Sequence, residues 1–309
     1  MASREEVIQA YRYILDREPE SEAIVEMHMA NHVDWRQLKT SLKRSKEYND
    51  LIGTKWFIYP ILNDSRMIWL NSEDRYVSRA LITDQWDKDE IHALNTILKE
   101  DSVFVDIGAN IGFMSLLASR TIKTGHIHSF EPHPIINTYL EKTIRLNGLQ
   151  DIITVHRKGV WNVDSTLRLA WDDGGDNPGG SSMAPGWEQG SDVEVVALDN
   201  LNFARCDVIK IDVEGAEIKA LEGARETIRR CRPIVMSELH HVMLPLVSNG
   251  SPNDYIGAFE ALGYACYGQH WGHRGERMDK SDPRWQEAFL NVIFIPLEQE
   301  EEMVSKLFG

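Results

Sequence analysis

The chain has 309 residues, of which 42% are hydrophobic and 26% charged, and its formal net charge is −15. This length and composition allow one large globular core with a small additional segment. The negative charge disfavours binding to nucleic acid and to anionic membranes, because both would repel the protein.

The cysteines and the apolar runs give no sign of export or membrane insertion. Cys206, Cys231 and Cys266 are odd in number, far apart and without metal-binding spacing. No apolar run approaches the length of a membrane helix, and the start "MASREEVIQAYRY" lacks the basic-then-apolar order of a signal peptide. We therefore expect a cytoplasmic protein.

The first fifty residues predict helices. Val7, Tyr11, Ile14 and Leu15 recur at helical spacing, and Pro19 ends this first pattern. We expect a helical segment over residues 1–50 and one domain over residues 51–309. The helices are also the expected place of contact with a partner or with another copy of the chain.

The N-terminal segment resembles a short bacterial domain of unknown function that is common beside cell-surface polysaccharide enzymes. The stretches Tyr11–Pro19 and Ser45–Tyr48 carry the likeness. The resemblance implies a role in surface polysaccharide biosynthesis.

Strands and helices alternate through the rest of the chain. "WFIYPIL" and "RMIWL" predict strands, and "DKDEIHALNTILKE" predicts an amphipathic helix. The later alternation predicts an α/β, Rossmann-like fold with a mostly parallel sheet and helices on both faces. The Gly-rich stretch at 171–190 is interpreted as the tip of a long hairpin, with a mobile lid as the alternative.

The first strand, turn and helix of this alternation lie in "FVDIGANIGF". Asp106, Gly108, Asn110 and Gly112 form the pattern D-x-G-x-N-x-G at the carboxyl end of a strand, where such sheets bind ligands. A dinucleotide would want G-x-G-x-x-G, and Asp106 would repel its pyrophosphate. An acid suits a ligand with an ammonium group, a sulfonium and no phosphate, which predicts S-adenosylmethionine.

Two further strand ends complete the predicted donor site. Glu131 follows the next strand, 19 residues after Gly112, where a carboxylate takes two ribose hydroxyls. Val160, in "GVW" after the third strand, is expected beside the adenine, although simple packing at the strand end would explain it equally well.

The fourth and fifth strands supply the candidate catalytic residues. Lys210 and Asp212 should point the same way, and Asp212 ends the strand beside the first one. "SELHH" supplies Glu238 and His240, and a neutral histidine is a plausible base for a hydroxyl. We expect His240 to be the base, with Asp212 and Glu238 as orienting groups or alternative bases. These residues could also hold a divalent metal, but without tight spacing we predict none.

The segment between the last two predicted strands contains "HWGHRGER" and Trp285. Its side chains would suit a carbohydrate or simply pack a long loop. The residues concerned are His270, Trp271, His273, Arg274 and Trp285.

The chain resembles the FkbM-type methyltransferases over roughly residues 70–296. The resemblance lies in "FVDIGANIGF", "SFEPHP", "IKIDVEGAE" and "NVIF". It implies a seven-stranded class I methyltransferase sheet whose last strand is antiparallel, and it adds Ala109 and Phe113 to the donor site. It also implies O-methylation of a sugar, polyketide or related metabolite. Two alternatives remain open: a non-catalytic module that binds the nucleoside and docks a partner, and an NAD-dependent oxidoreductase.

Overall fold

The computed structural model describes residues 2–309 with these exceptions: 16, 35–36, 39–40, 43–44, 46, 48–55, 63–64, 172–180, 184–188, 270–273 and 284–288. The chain divides into two compact units, Met1–Glu73 and Asp74–Gly309. The helical segment at 1–50 falls within the first unit, and a boundary at residue 51 stays a prediction. Among the described residues, no helix combines the length and apolarity that crossing a membrane requires.

In the described part of the first unit, helices precede a β-hairpin. Helix α1 spans Arg4–Leu15 and α2 spans Glu22–Asn31, and an antiparallel hairpin pairs β1 (Trp56–Pro60) with β2 (Met67–Asn71). The apolar positions predicted from helical spacing are buried in one cluster, which also takes in leucines from farther along the segment. Its members include Val7, Tyr11, Ile14, Leu15, Leu38 and Leu42. The resemblance of this segment to a bacterial domain stays a prediction.

The second unit is built on two sheets. Its strands are β3 (Val103–Ile107), β4 (His126–Phe130), β5 (Ile153–His156), β6 (Gly159–Val160), β7 (Ser165–Trp171), β8 (Gln189–Val196), β9 (Val208–Ile211), β10 (Ile234–His240), β11 (Tyr264–Gly268), β12 (Arg277–Met278) and β13 (Phe289–Pro296). The large sheet has the order β12-β11-β13-β10-β9-β3-β4-β5, and β6, β8 and β7 form a small second sheet.

The large sheet confirms the predicted fold. The neighbouring pairs β10–β9, β9–β3, β3–β4 and β4–β5 are parallel, whereas β13 runs antiparallel to β10 and β11. Seven strands make up the predicted sheet, with the two-residue β12 added at its edge. The chain leaves β3 in one direction through β4 and β5, then returns to the other side of β3 at β9. This reversal places the carboxyl ends of β3 and β9 side by side, where ligands bind in such sheets.

The helices described in the second unit are α3 (Val77–Ile82), α4 (Lys88–Ile97), α5 (Phe113–Ala118), α6 (Ile136–Leu146), α7 (Glu217–Gly223), α8 (Arg225–Cys231), α9 (Met243–Ser248), α10 (Pro252–Ala261) and α11 (Glu300–Phe308). Of these, α3 and α4 precede β3, and α11 follows β13. The central strands are buried, so they read as continuous apolar runs, as parallel strands covered on both faces do.

Candidate active site

A cavity of about 760 Å³ opens at the carboxyl ends of β3, β4, β9 and β10. This volume is within the range of small-molecule sites. Most of the predicted site residues line it: Asp106, Gly108, Ala109, Asn110, Phe113, Glu131, Val160, Asp212, Glu238 and His240. Gly112 is not among the lining residues.

The glycines of the turn after β3 make room for protein atoms. Gly108 and Gly112 have φ of +83° and +94°. A Cβ on Gly108 would lie 1.8 Å from the carbonyl oxygen of Asp212, and one on Gly112 would lie 2.6 Å from Leu140 Cδ1. The left-handed backbone at both positions favours glycine, and at 108 the Asp212 carbonyl leaves no room for a side chain, so contacts within the protein account for these glycines.

Asp106 is an orphaned acceptor in the wall of the cavity. It is fully buried, and its Oδ2 accepts a hydrogen bond of 2.6 Å from Ser115 Oγ. Its Oδ1 is buried without a hydrogen-bond partner among the described residues. Burial raises the pKa of the Asp106 carboxyl, although the charge of Lys210 opposes the shift. A buried acceptor of this kind calls for a donor from a ligand.

Glu131 is held in place by the backbone. Its Oε2 accepts the Asn110 N–H at 2.9 Å, and its Oε1 accepts the His133 N–H at 2.8 Å. Burial raises the pKa of Glu131 to about 7, even though both hydrogen bonds favour the ionised form. Each carboxylate oxygen keeps a second lone pair, so Glu131 can still accept two hydroxyl donors.

Lys210 is a buried cation between two carboxylates. Its Nζ lies 2.7 Å from Asp212 Oδ2 and 3.7 Å from Glu90 Oε1. Burial alone would lower the pKa of Lys210, but the charges of Asp212, Glu90 and Asp106 raise it above its usual value. Lys210 therefore stays charged, and both it and Asp212 line the cavity, as strand alternation predicted.

Glu214 and Glu238 also line the cavity. The charge of Asp212 and then burial raise the pKa of Glu238 well above its usual range, and burial and then Asp212 raise that of Glu214 to about 7. Glu214 has φ of +49°, and its carbonyl accepts a 2.8 Å hydrogen bond from Ser182 Oγ. Two uncompensated carboxylates therefore face the space beside the Lys210–Asp212 pair.

His240 ends β10, shortly before the helix Met243–Ser248. Its Nδ1 accepts the backbone N–H of Val242 at 3.3 Å and that of Met243 at 3.4 Å. Burial and then the neighbouring His241 lower the pKa of His240, so the ring is neutral near pH 7.

Some residues that line the cavity were not predicted from the sequence. Trp86 Nε1 donates to Glu90 Oε2 at 2.9 Å, and Asn291 Nδ2 donates to Asp87 Oδ2 at 3.0 Å. Exposed Tyr76 lines the same side. Asn291 opens the "NVIF" motif, but only the position of β13 beside β10 shows that it reaches the cavity.

Of the residues predicted to bind carbohydrate, the structure describes only Arg274. His270, Trp271, His273 and Trp285 lie outside the described residues. Arg274 instead forms an ion pair of 3.1 Å with Asp89, donates to the backbone, and is not among the lining residues.

The Gly-rich insert begins and ends as the predicted hairpin. Strands β7 and β8 pair antiparallel from Ser165 and Val195 to Trp171 and Gln189. Within the insert, Ser182 pairs with Ala170 through two backbone hydrogen bonds of 2.9 Å. Residues 181–183 line the cavity, so the described part of the insert is a wall of the site. The rest of it lies outside the described residues.

The described residues contain no group of three or more histidine, cysteine or acidic side chains arranged to hold a metal ion.

Comparison with known proteins gives a consistent family. The model of the methyltransferase FkbM domain matches residues 106–266. Methyltransferase sdnD of Sordaria araneosa is 27% identical over 164 residues, or 42% of this chain and 62% of that protein. Methyltransferase 1 of Beauveria bassiana is 26% identical over 149 residues, or 40% and 59%.

Among solved structures, methyltransferase FkbM from Methylobacillus flagellatus aligns with a TM-score of 0.40 and 16% identity, over 93% of this chain and 58% of that one. Each of these matches extends over less than two thirds of the other protein.

Proposed function

The chain belongs to the methyltransferase FkbM family, and from this premise we propose that it transfers a methyl group from S-adenosylmethionine to a hydroxyl of a sugar, a glycan or a related metabolite. A role in surface polysaccharide biosynthesis is part of the proposal. The observation that carries the donor assignment is the pair of buried carboxylates at the ends of β3 and β4, Asp106 and Glu131.

The residues present fit the donor. Asp106 offers an unpartnered buried acceptor, which suits an ammonium group directly or through water. Glu131 offers two oxygens with lone pairs to spare, which suits the vicinal hydroxyls of a ribose. Val160 and Phe130 add buried apolar surface for an aromatic base. When bound, S-adenosylmethionine supplies a methyl group on a positively charged sulfur.

The acceptor side is proposed to lie toward β10 and α4. Glu238 and His240 end β10, Asp212 ends β9, and Tyr76 and Trp86 supply aromatic surface of the kind that stacks on sugar rings. A hydroxyl is a poor nucleophile until its proton leaves, so a base must lie among the polar groups at these strand ends. The cavity holds donor and acceptor together, and positioning supplies much of the acceleration in such a transfer.

Donor binding tests the proposal before the acceptor is known. Calorimetry should show binding of S-adenosylmethionine and S-adenosylhomocysteine, and none of NAD. Glu131→Ala should weaken donor binding by about 1–3 kcal/mol, because a charged hydrogen-bond acceptor is lost. Unchanged affinity in that variant would remove Glu131 from the donor site.

Transfer of a labelled methyl group then tests the acceptor class. Labelled S-adenosylmethionine should be supplied with neutral methyl glycosides, sugar nucleotides and glycolipids. Labelled product from any of these supports a carbohydrate acceptor, whereas binding of the donor without transfer to any of them would argue for a different acceptor.

A further inference from the structure

We propose that Glu238 takes the proton of the acceptor hydroxyl, and that His240 donates a hydrogen bond to the acceptor rather than acting as the base. This inference rests on the proposed methyl transfer to a hydroxyl. It reverses the roles that residue type alone would assign to the two side chains that end β10.

The hydrogen bonds of His240 fix which nitrogen carries the proton. A backbone N–H can only donate, so His240 Nδ1, which receives the N–H groups of Val242 and Met243, must be the acceptor. A neutral ring with an accepting Nδ1 carries its proton on Nε2. His240 therefore presents a donor at Nε2, and a nitrogen that already holds a proton cannot take another.

Glu238 offers the accepting oxygens that a base needs. Its carboxylate lines the cavity and makes no hydrogen bond or ion pair with the described residues. The charges around it are those of Lys210 and Asp212 on β9, Glu214 on the following loop and Glu90 on α4.

Lys210 already lies between Asp212 and Glu90, whose negative charges offset most of its effect on Glu238. The three acids raise the pKa of Glu238, which makes its carboxylate a stronger base than an ordinary glutamate.

In the proposed step, the hydroxyl proton moves to a Glu238 oxygen as the acceptor oxygen forms its bond to the methyl carbon. The carbon–sulfur bond breaks and its electron pair stays on sulfur, which becomes a neutral thioether. The products are a methyl ether, S-adenosylhomocysteine and one proton on Glu238, which then passes to solvent.

The first test measures the tautomer of His240 in the full-length protein with S-adenosylhomocysteine added. Two-bond proton–nitrogen correlation spectra of ¹⁵N-histidine-labelled protein distinguish Nε2–H from Nδ1–H rings, and the spectrum of His240→Gln assigns the signal. The proposal requires Nε2–H near pH 7. A ring protonated on Nδ1, or on both nitrogens, overturns it, whatever the acceptor proves to be.

The second test compares turnover in substituted proteins with the acceptor found by the transfer assay. Glu238→Gln should lower turnover by about 10²–10⁴-fold, the usual range for general-base catalysis. His240→Gln keeps an N–H donor near the position of Nε2 but cannot act as a base, so it should retain much more activity than His240→Ala. Equal loss in His240→Gln and His240→Ala would overturn the assignment.

The pH profile separates the two bases further. The wild-type rate should rise with pH as Glu238 loses its proton, and this rise should disappear in Glu238→Gln but persist in His240→Gln. Glu226→Gln, on an exposed ion pair with Arg229, is the matched control and should behave as wild type. S-adenosylhomocysteine affinity, measured for every variant, shows whether a loss reflects misfolding; absence of donor binding in the wild type would instead refute the proposed function.

Discussion

Glu217, the first residue of α7, is a buried carboxyl group outside the cavity lining. It is 1% exposed, its Oε1 accepts the Gly215 N–H at 3.0 Å, and its Oε2 has no hydrogen-bond partner among the described residues. Burial raises the pKa of Glu217 to about 8. The folded state therefore holds a proton that the unfolded chain releases near pH 4.5, and stability falls as pH rises from about 4.5 to about 8.

Replacing this carboxyl with an amide should remove that penalty. Glu217→Gln keeps an oxygen for the Gly215 N–H and should raise the free energy of unfolding at pH 7 by on the order of 1–3 kcal/mol. The gain should vanish below pH 4.5, where both states are protonated in the wild type. Urea unfolding at several pH values measures it; Glu222→Gln, exposed on the same helix, is the control. A gain independent of pH would contradict this account.

For individual residues, the sequence predicted which side chains line the cavity better than it predicted their chemical roles. Asp106 and Glu131 were found from spacing, because a strand end followed by a tight turn is a local pattern. The proposed role of His240 could not be inferred from residue type, since it depends on the N–H groups of Val242 and Met243 at the start of a helix that the sequence pattern did not indicate.

Among the elements, the insert between β7 and β8 is fastened to the loop after β9. Ser182 is 1% exposed and its Oγ donates to the Glu214 carbonyl, where the backbone is left-handed. Ser182→Ala removes this bond and leaves a carbonyl without its donor. We expect a lower methyl-transfer rate or a higher KM for the acceptor, with S-adenosylhomocysteine affinity within about threefold of wild type.

Ser165→Ala is the control for this change, because Ser165 is exposed at the start of β7. Calorimetry and the transfer assay together provide the measurement. If Ser182→Ala weakened donor binding as strongly as it slowed transfer, the insert would belong to the donor site rather than to the acceptor side.

The predicted bounds of helices were wrong where packing against distant parts of the chain determines them. The pattern over residues 216–231 predicts one helix, but the structure has α7 and α8, joined at Ala224. A Cβ on Gly223 would lie 1.9 Å from the Trp161 carbonyl oxygen. The backbone at Trp161, distant in sequence, therefore packs directly against the chain beside the break between the two helices. The acidic run before residue 303 begins α11, in which Glu301 and Glu302 are exposed while Met303 and Leu307 are buried.

The negative charge of the molecule extends into its cavity, whose described lining is predominantly acidic. Its lining holds one lysine, Lys210, and seven carboxylates: Asp87, Glu90, Asp106, Glu131, Asp212, Glu214 and Glu238. An anionic group brought among them would meet repulsion in a poorly screened site. The described lining therefore favours neutral or cationic acceptors over phosphorylated ones.

This charge balance predicts a preference that can be measured. A neutral glycoside should be methylated at least about tenfold more efficiently than the same sugar carrying a phosphate beside the reacting hydroxyl, because 1.4 kcal/mol of repulsion is sufficient for that ratio. kcat/KM for the matched pair measures the ratio. A faster reaction of the phosphate ester would contradict this prediction.

The division into two units predicts the outcome of truncation. The described residues that line the cavity all lie in Asp74–Gly309, the earliest being Tyr76. A chain that begins at Asp74 should therefore still bind S-adenosylhomocysteine with near wild-type affinity. Calorimetry and circular dichroism check this result, and a folded truncated protein that cannot bind the ligand would show that the first unit supports the site.

The contact between Gly108 and Asp212 has a consequence for how related sequences can diverge. A Cβ at position 108 would lie 1.8 Å from the carbonyl oxygen of Asp212, so the turn after β3 packs directly against the residue that follows β9. In the proposed reaction these two segments serve the donor and the acceptor, so we expect a substitution at 108 to disturb both. Acceptor preference should instead drift at the rim, at Tyr76 and residues 181–183, while glycine persists at 108.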